Sequence, residues 1–526
     1  MSNPSRTLII AVVFFAASMP SRSQPMNAKQ MDELAGRAMK AFGVPGMALG
    51  VVKDGRLIYA KGYGVRSVAS SEQVNTNTLF GIASVTKGFT AAALGILVDE
   101  GKVKWDDKVQ EYIPEFAMYD PYVTREFTIR DLLVHHSGLA RGAGELMQDP
   151  SPTTFTTSDI IHSLRYFRPA SSFRTQFAYS NIMYIVAGEL IARVSGMTWE
   201  KFISNRIFEP LQMDLSAPSQ HLIGENRNVI EPHAEINGAV RVVNRDDDEV
   251  ADPAGGIFSS VDDMSRWVIM QMNDGKYGDG LKKRLFSQAV HDEMWTPQTI
   301  IPVTGSSVYN THFGAYGLGW FLIDAAGHKE VFHTGGDTGM SSNVVMMPEL
   351  RLGIIVLANE DNGIGVSVAD QILDSYLNIT GTDHVRERLE KQHARGLLNQ
   401  QTAGQAGSEL RTKNRPGDVV YSGVYTDNWF GDVFVTFEKG VLWLRSERSP
   451  SLAGPLLPLE GNEFAARWCN AVLSFELNQE GIPTRLTLKP LVKGSTTSYF
   501  GDLDFHRRER AKGSESKPAN IERAVP

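Results

Sequence analysis

Ser84-Val85-Thr86-Lys87 sets a hydroxyl and an amine three residues apart, where the apolar run Leu79-Phe80-Gly81-Ile82-Ala83 passes into a helical pattern. Phe89, Ala92, Ala93, Ile96 and Leu97 recur at helical spacing up to Asp99-Glu100-Gly101, so Ser84 and Lys87 are expected on one helix face, one turn apart. A serine hydroxyl is a weak nucleophile until a base takes its proton. A lysine shielded by apolar neighbours has a lowered pKa and can serve as that base or assist another. The helix N-terminus adds a positive field where an oxyanion would develop. Alone, the motif also fits a surface lysine on an ordinary helix.

Two more elements follow. Tyr179-Ser180-Asn181 precedes a helix starting near Ile182. A tyrosine beside an ammonium can become a phenolate, because the positive charge lowers its pKa from about 10. Asn181 could fix that geometry and donate to a substrate carbonyl. His333-Thr334-Gly335-Gly336 stands at the end of a predicted strand, where two glycines allow close approach of a substrate backbone and leave an N–H open to an oxyanion. Each also has a structural reading: a tyrosine near a helix start, and a strand-end turn with a structural histidine.

The elements that must position these groups are legible in outline. Residues 28–43 read as a helix with Met31, Leu34, Ala38 and Phe42 on one face. The stretches 47–52 and 57–63 flank Asp54-Gly55 as a hairpin, and 331–333, 341–347 and 352–357 read as three late strands. Hairpin and late strands would complete one antiparallel sheet with helices packed against it, an α/β sandwich carrying an inserted helical region over about 84–280. After a helix near 366–378, residues 396–416 look like a linker, with Asn399-Gln400-Gln401-Thr402-Ala403-Gly404-Gln405-Ala406-Gly407 poor in apolar residues. Short alternating strands with turn signals then recur over 417–510, about eight of them, which predicts a small antiparallel β-barrel that folds separately. The tail 511–526 is polar and expected to be disordered.

Composition narrows the class. The 526 residues are 42% hydrophobic and 21% charged, with a net charge of −8, which suits a soluble enzyme of two to three domains and disfavours nucleic acid or an anionic membrane as partner. Residues 1–23 carry a basic start, a twelve-residue apolar run and Ser21-Arg22-Ser23, the pattern of a signal peptide cleaved before Gln24. No later stretch is apolar enough to span a membrane. The single Cys469 permits no intrachain disulfide, which fits a bacterial periplasm or the cell exterior. Adjacent His135-His136 point differently and suit loop or core roles better than metal binding, and Asp246-Asp247-Asp248-Glu249 reads as a solvated loop. No cofactor or metal is implied.

In this order the motifs resemble the serine β-lactamase and penicillin-binding-protein superfamily, in particular its class C-like branch of esterases and D-amino-acid peptidases. Thr128-Ile129-Arg130-Asp131-Leu132-Leu133-Val134-His135-His136-Ser137-Gly138-Leu139, Glu209-Pro210-Leu211-Gln212-Met213 and Ala254-Gly255-Gly256-Ile257-Phe258-Ser259-Ser260 look like stretches of that branch too, so the likeness covers about 28–380 within a hydrolase domain over 24–395. Tyr421-Ser422-Gly423-Val424-Tyr425 and Phe430-Gly431 are similar to the lipocalin-like domain often fused to it. The resemblance implies Ser84 as nucleophile, Lys87 and Tyr179 as the proton-handling pair, Asn181 as an orienting residue and an oxyanion hole from the N–H groups of Ser84 and Gly336. It also sets Thr334, Gly335 and Gly336 beside the substrate. Where that branch usually carries Lys-Thr-Gly, this chain has His333-Thr334-Gly335. A histidine is largely neutral near pH 7, so ester or peptide hydrolysis gains over β-lactam hydrolysis, and activity is expected to follow the protonation of His333. The implied function is an exported serine hydrolase acting through an acyl-enzyme on a small ester or short peptide. A class C-like β-lactamase, a DD-carboxypeptidase and a non-catalytic penicillin-binding sensor are the alternatives.

Overall fold

Strands β1 (Gly46–Lys53) and β2 (Arg56–Gly64) form the expected hairpin, with Asp54 and Gly55 both at positive φ, 52° and 74°. Six late strands join them: β3 (Thr299–Ile301), β4 (Gly314–Tyr316), β5 (Phe321–Ala325), β6 (His328–Asp337), β7 (Met340–Met347) and β8 (Leu352–Ala358). The computed structural model, which describes residues 24–225, 228–304, 308–407, 416–491 and 499–508, orders this antiparallel sheet β2-β1-β8-β7-β6-β5-β4-β3. Hairpin and late strands therefore do share one sheet. No strand signal is visible in sequence at β3 and β4, because three residues are too few for alternation to register.

Helices α1 (Ala28–Phe42), α2 (Thr86–Asp99), α3 (Ile182–Ser195), α4 (Val261–Gln271) and α5 (Ile364–Leu377) make the other layers. Helices α1 and α5 bury Met31, Leu34, Val368 and Ile372 against Met47, Leu49, Ile354 and Val356 on one face of the sheet. On the other face, α2 and α4 pack Phe89, Val261 and Val268 against Ala48, Val52, Ile355 and Leu357. Successive residues of β1 and β8 thus enter opposite cores, which is why both strands read as continuous apolar runs. Gly50 lets α4 approach, since a Cβ there would lie 2.6 Å from Val261. Among the described residues, no helix is long and apolar enough to cross a membrane.

Eight further strands close into a barrel: β9 (Gly423–Asp427), β10 (Gly431–Glu438), β11 (Val441–Ser446), β12 (Ala453–Pro458), β13 (Glu463–Ala466), β14 (Ala471–Leu477), β15 (Pro483–Pro490) and β16 (Phe505–Arg507). Strand β16 pairs with both β15 and β9 and leaves no edge.

Two boundary readings change. The segment expected as a linker is helical as far as Gly407, in α6 (His384–Gly407); its glutamines and alanines favour helix over loop. Residues 408–415 lie outside the described residues, as do the segment 1–23 expected to be a signal peptide and the tail 511–526. Nor is the barrel packed as a separate unit. Phe430 meets Phe155 with ring centroids 5.6 Å apart, and Trp429 meets Phe167 at 4.9 Å, so one apolar core runs through both bodies. Arg448 ion-pairs with Asp159 at 2.7 Å, stacks on Phe155 and accepts a backbone bond from Thr154. Ser451 Oγ donates to the Ser151 carbonyl, and the barrel turn at 499–502 packs on the 145–147 turn. The barrel braces the 145–155 segment of the hydrolase body.

Candidate active site

From Thr78 to Leu97 every residue is buried except Ser84. Ser84 lies in a 3₁₀ turn (Ala83–Val85) that begins with Ala83 at a φ of 45° and leads into α2, one step short of the helix expected from the sequence. The turn is clamped from β6: a Cβ on Gly335 would lie 2.2 Å from the Ile82 carbonyl, and Ser342 Oγ donates to that same carbonyl at 2.6 Å. Only glycine fits there, and Gly336 thereby joins Ser84 in the wall of one cavity.

Lys87 is fully buried beneath the serine. Its Nζ lies 3.1 Å from Ser84 Oγ, 2.7 Å from Asn181 Oδ1 and 2.8 Å from the Ala254 carbonyl. The last two atoms can only accept. In the neutral amine they take both N–H groups and leave the lone pair for the Ser84 hydroxyl. Burial pushes the Lys87 pKa down to about 7, against an upward pull from Glu145, so the amine is available near neutrality. Asn181 is fixed in turn, because its Nδ2 donates to Glu145 Oε1 at 3.2 Å.

Tyr179 lies against this group, its ring centroid 4.9 Å from Lys87 Nζ. Its hydroxyl is enclosed and makes no hydrogen bond of good geometry, although it is near enough to Ser84 for the serine to moderate its pKa. Burial dominates and raises that pKa, so Tyr179 is a neutral phenol, and the phenolate that its place beside an ammonium allowed does not form. His135, at a φ of 57°, shapes the segment that carries it: the backbone N–H groups of Ala178 and Ser180 donate to the His135 carbonyl and to Nδ1. The neighbouring His136 turns away to Asp131 at 2.7 Å.

His333 departs from its sequence reading. Its Nδ1 faces the Thr334 carbonyl at 2.7 Å, which can only accept, so Nδ1 carries the proton and Nε2 accepts from the Tyr316 hydroxyl at 2.9 Å. Burial, helped by the charge of Lys87, pushes its pKa down to about 3. The ring is neutral across the working pH range, and activity is not expected to follow its protonation. His333→Gln should leave the shape of the pH–rate profile between pH 5 and pH 8 as in the wild type. A limb in that range that disappears on substitution would show that His333 titrates after all. Thr334 and Gly335 pair with Asn343 and Ser342 of β7, and neither lines the cavity.

The cavity in front of Ser84 measures 460 Å³. It is lined by Asn181 and Gly336, and also by residues that sequence reasoning did not assign: Glu145, Gln148, Asp246 and Asp248 among them. Asp246, Asp248 and Glu249 thus line the cavity, so the run at 246–249 is not merely a solvated loop. The available signal was the pair Gly142 and Gly144, both at positive φ, which mark a tight loop delivering Glu145.

A family model described as Beta-lactamase matches residues 31–376. Unguisins hydrolase ungD of Aspergillus violaceofuscus (strain CBS 115571) is 28% identical over 489 residues, 86% of this chain and 84% of that protein. Protein flp of Staphylococcus aureus (strain NCTC 8325 / PS 47) is 27% identical over 339 residues, 63% of each chain. Among solved structures, the octameric penicillin-binding protein homologue from Pyrococcus abyssi matches with a TM-score of 0.60 at 20% identity, over 91% of this chain and 100% of that one. That last likeness is one of fold.

Proposed function

The chain belongs to the Beta-lactamase family and is a serine hydrolase in general type, and from that premise we propose that it cleaves an ester or an amide, D-amino-acid peptides included, through an acyl-enzyme on Ser84. The observation that carries the reading is the 3.1 Å contact of the buried Lys87 Nζ with Ser84 Oγ, on an amine whose pKa burial pushes down to about 7. In this reading Ser84 Oγ attacks the carbonyl carbon as its proton passes to Lys87 Nζ. The backbone N–H groups of Ser84 and Gly336 hold the oxyanion, and the leaving group departs with a proton returned from Lys87 through the Tyr179 hydroxyl. Water then attacks the acyl-enzyme by the same route and releases the acid. Asn181 keeps Lys87 in place. The neutral His333 supports a substrate without the carboxylate that a lysine there would hold, which favours esters and peptides over β-lactams.

Export through the segment 1–23 is part of the proposal, supported by its basic start and short apolar run. One experiment addresses both parts. Protein secreted by a bacterial host and treated with a fluorophosphonate should have an intact mass that begins at Gln24, with one adduct on the peptide containing Ser84. A protein that turns over simple esters without an adduct on Ser84 would end the acyl-enzyme reading, and an unprocessed N-terminus would end the export reading.

A further inference from the structure

We propose that the cavity in front of Ser84 selects a substrate carrying a positively charged organic group, an ammonium or guanidinium, close to its scissile carbonyl. This rests on the serine-hydrolase reading of the same site and names the substrate class within it. The lining holds two glutamates and six aspartates, and among its residues there is no lysine or arginine. Its one imidazole, His221, is turned to Asp247 at 2.9 Å. Arg141, whose charge reaches Tyr179, stands outside the lining.

These carboxyls come from separate parts of the chain and line one cavity. Asp337 lies beside Asp246, which accepts from Thr338 Oγ1 at 2.6 Å. Burial first, and then neighbouring carboxylates, push the pKa of Asp337 upward and that of Asp248 up to about 8. Like charges gathered this way destabilise a fold, and a cation placed among them relieves the repulsion. Among the described residues no group of three or more acidic, His or Cys side chains converges so as to hold a metal ion. The carboxyls are spread along a wall, where an approaching organic cation would draw off their protons and pair with the carboxylates.

An independent observation points to the rest of the ligand. Gln148 is only 7% exposed and lines the same cavity, yet its Nε2 is buried without a hydrogen-bond partner. A buried amide donor unused by eight nearby carboxyls calls for an acceptor on the ligand, such as a peptide carbonyl. An ammonium with a carbonyl close by describes an aminoacyl or basic peptidyl group.

The test uses three p-nitrophenyl esters of one chain length, with acyl chains ending in trimethylammonium, in its neutral tert-butyl isostere, and in carboxylate. At low salt the cationic ester should exceed the neutral one in kcat/KM by about tenfold or more, with the carboxylate ester lowest. The ratio should shrink as salt is added, and shrink in Asp246→Asn and Asp248→Asn. Equal rates for cation and isostere, a preference for the anion, or a ratio unmoved by both substitutions would overturn the inference while leaving the hydrolase reading intact. So would a rate that requires added calcium or magnesium and is lost with a chelator. Failure of the hydrolase reading looks different: none of the three esters is turned over and Ser84 is not acylated. The charge inference is decided even then by calorimetry on Ser84→Ala, which should bind the trimethylammonium-ended amide more tightly than its tert-butyl isostere. Equal binding would overturn it.

Discussion

Ser84→Ala should lower p-nitrophenyl ester hydrolysis by about 10⁴-fold or more and leave thermal unfolding unchanged. The two halves of this expectation have separate causes. Ser84 is the one residue between Thr78 and Leu97 that is not buried, so its hydroxyl is the accessible nucleophile on that segment. The hydroxyl contributes little to the fold: its partner Lys87 keeps Asn181 and the Ala254 carbonyl when the serine oxygen is removed. Near-wild-type turnover by the variant, in a preparation cleared of host esterases, would sink the assignment. A large fall in melting temperature would show instead that the turn depends on that oxygen.

The second large effect falls on Lys87. Its pKa is lowered to about 7, so the amine is protonated below that pH and cannot accept the Ser84 proton, and above it the lone pair is free. Therefore kcat/KM should rise with pH and level off above about 7, on a limb that belongs to Lys87. Lys87→Met, which keeps the length of the side chain in an apolar setting, should cost about 10²–10⁴-fold. Glu145 pulls the Lys87 pKa upward, so Glu145→Gln should move the limb to lower pH. Tyr179→Phe keeps the ring against the amine and removes only the hydroxyl. It should lower the rate and leave the limb in place, since Tyr179 is a neutral phenol whose burial raises its pKa. A limb that shifts with Tyr179→Phe would mean that the two groups titrate as one unit.

What could be read beforehand was local. Ser84 and Lys87 are three residues apart, and any helix or tight turn there brings them together. The Asp54-Gly55 hairpin and the barrel hairpin of β14 and β15 announce themselves by alternation and turn residues, and Leu473, Phe475 and Leu486 are buried as that alternation requires. What stayed hidden depends on tertiary approach. His333 is neutral because its burial, helped by the charge of Lys87, holds it so, while Tyr316, seventeen residues upstream, occupies its Nε2. The charges at 246–249 have the composition of a solvated loop, and only their convergence with Glu145 and Asp337 makes them a wall. The glutamine- and alanine-rich stretch before Gly407 lacks an apolar stripe, which hid a helix that backbone propensity favours.

A barrel closed on itself has no strand edge to lend. Whatever it passes to the reaction goes through its loops, from Trp429, Phe430, Arg448 and Ser451 onto the segment that carries Glu145 and Gln148. The hydrogen bonds of Lys87 and Asn181, by contrast, all stay within the hydrolase body. Heritable change therefore has two separate places to act. A substitution in a barrel loop would bear on the segment that walls the cleft and leave the hydrogen bonds of the nucleophile's amine as they are.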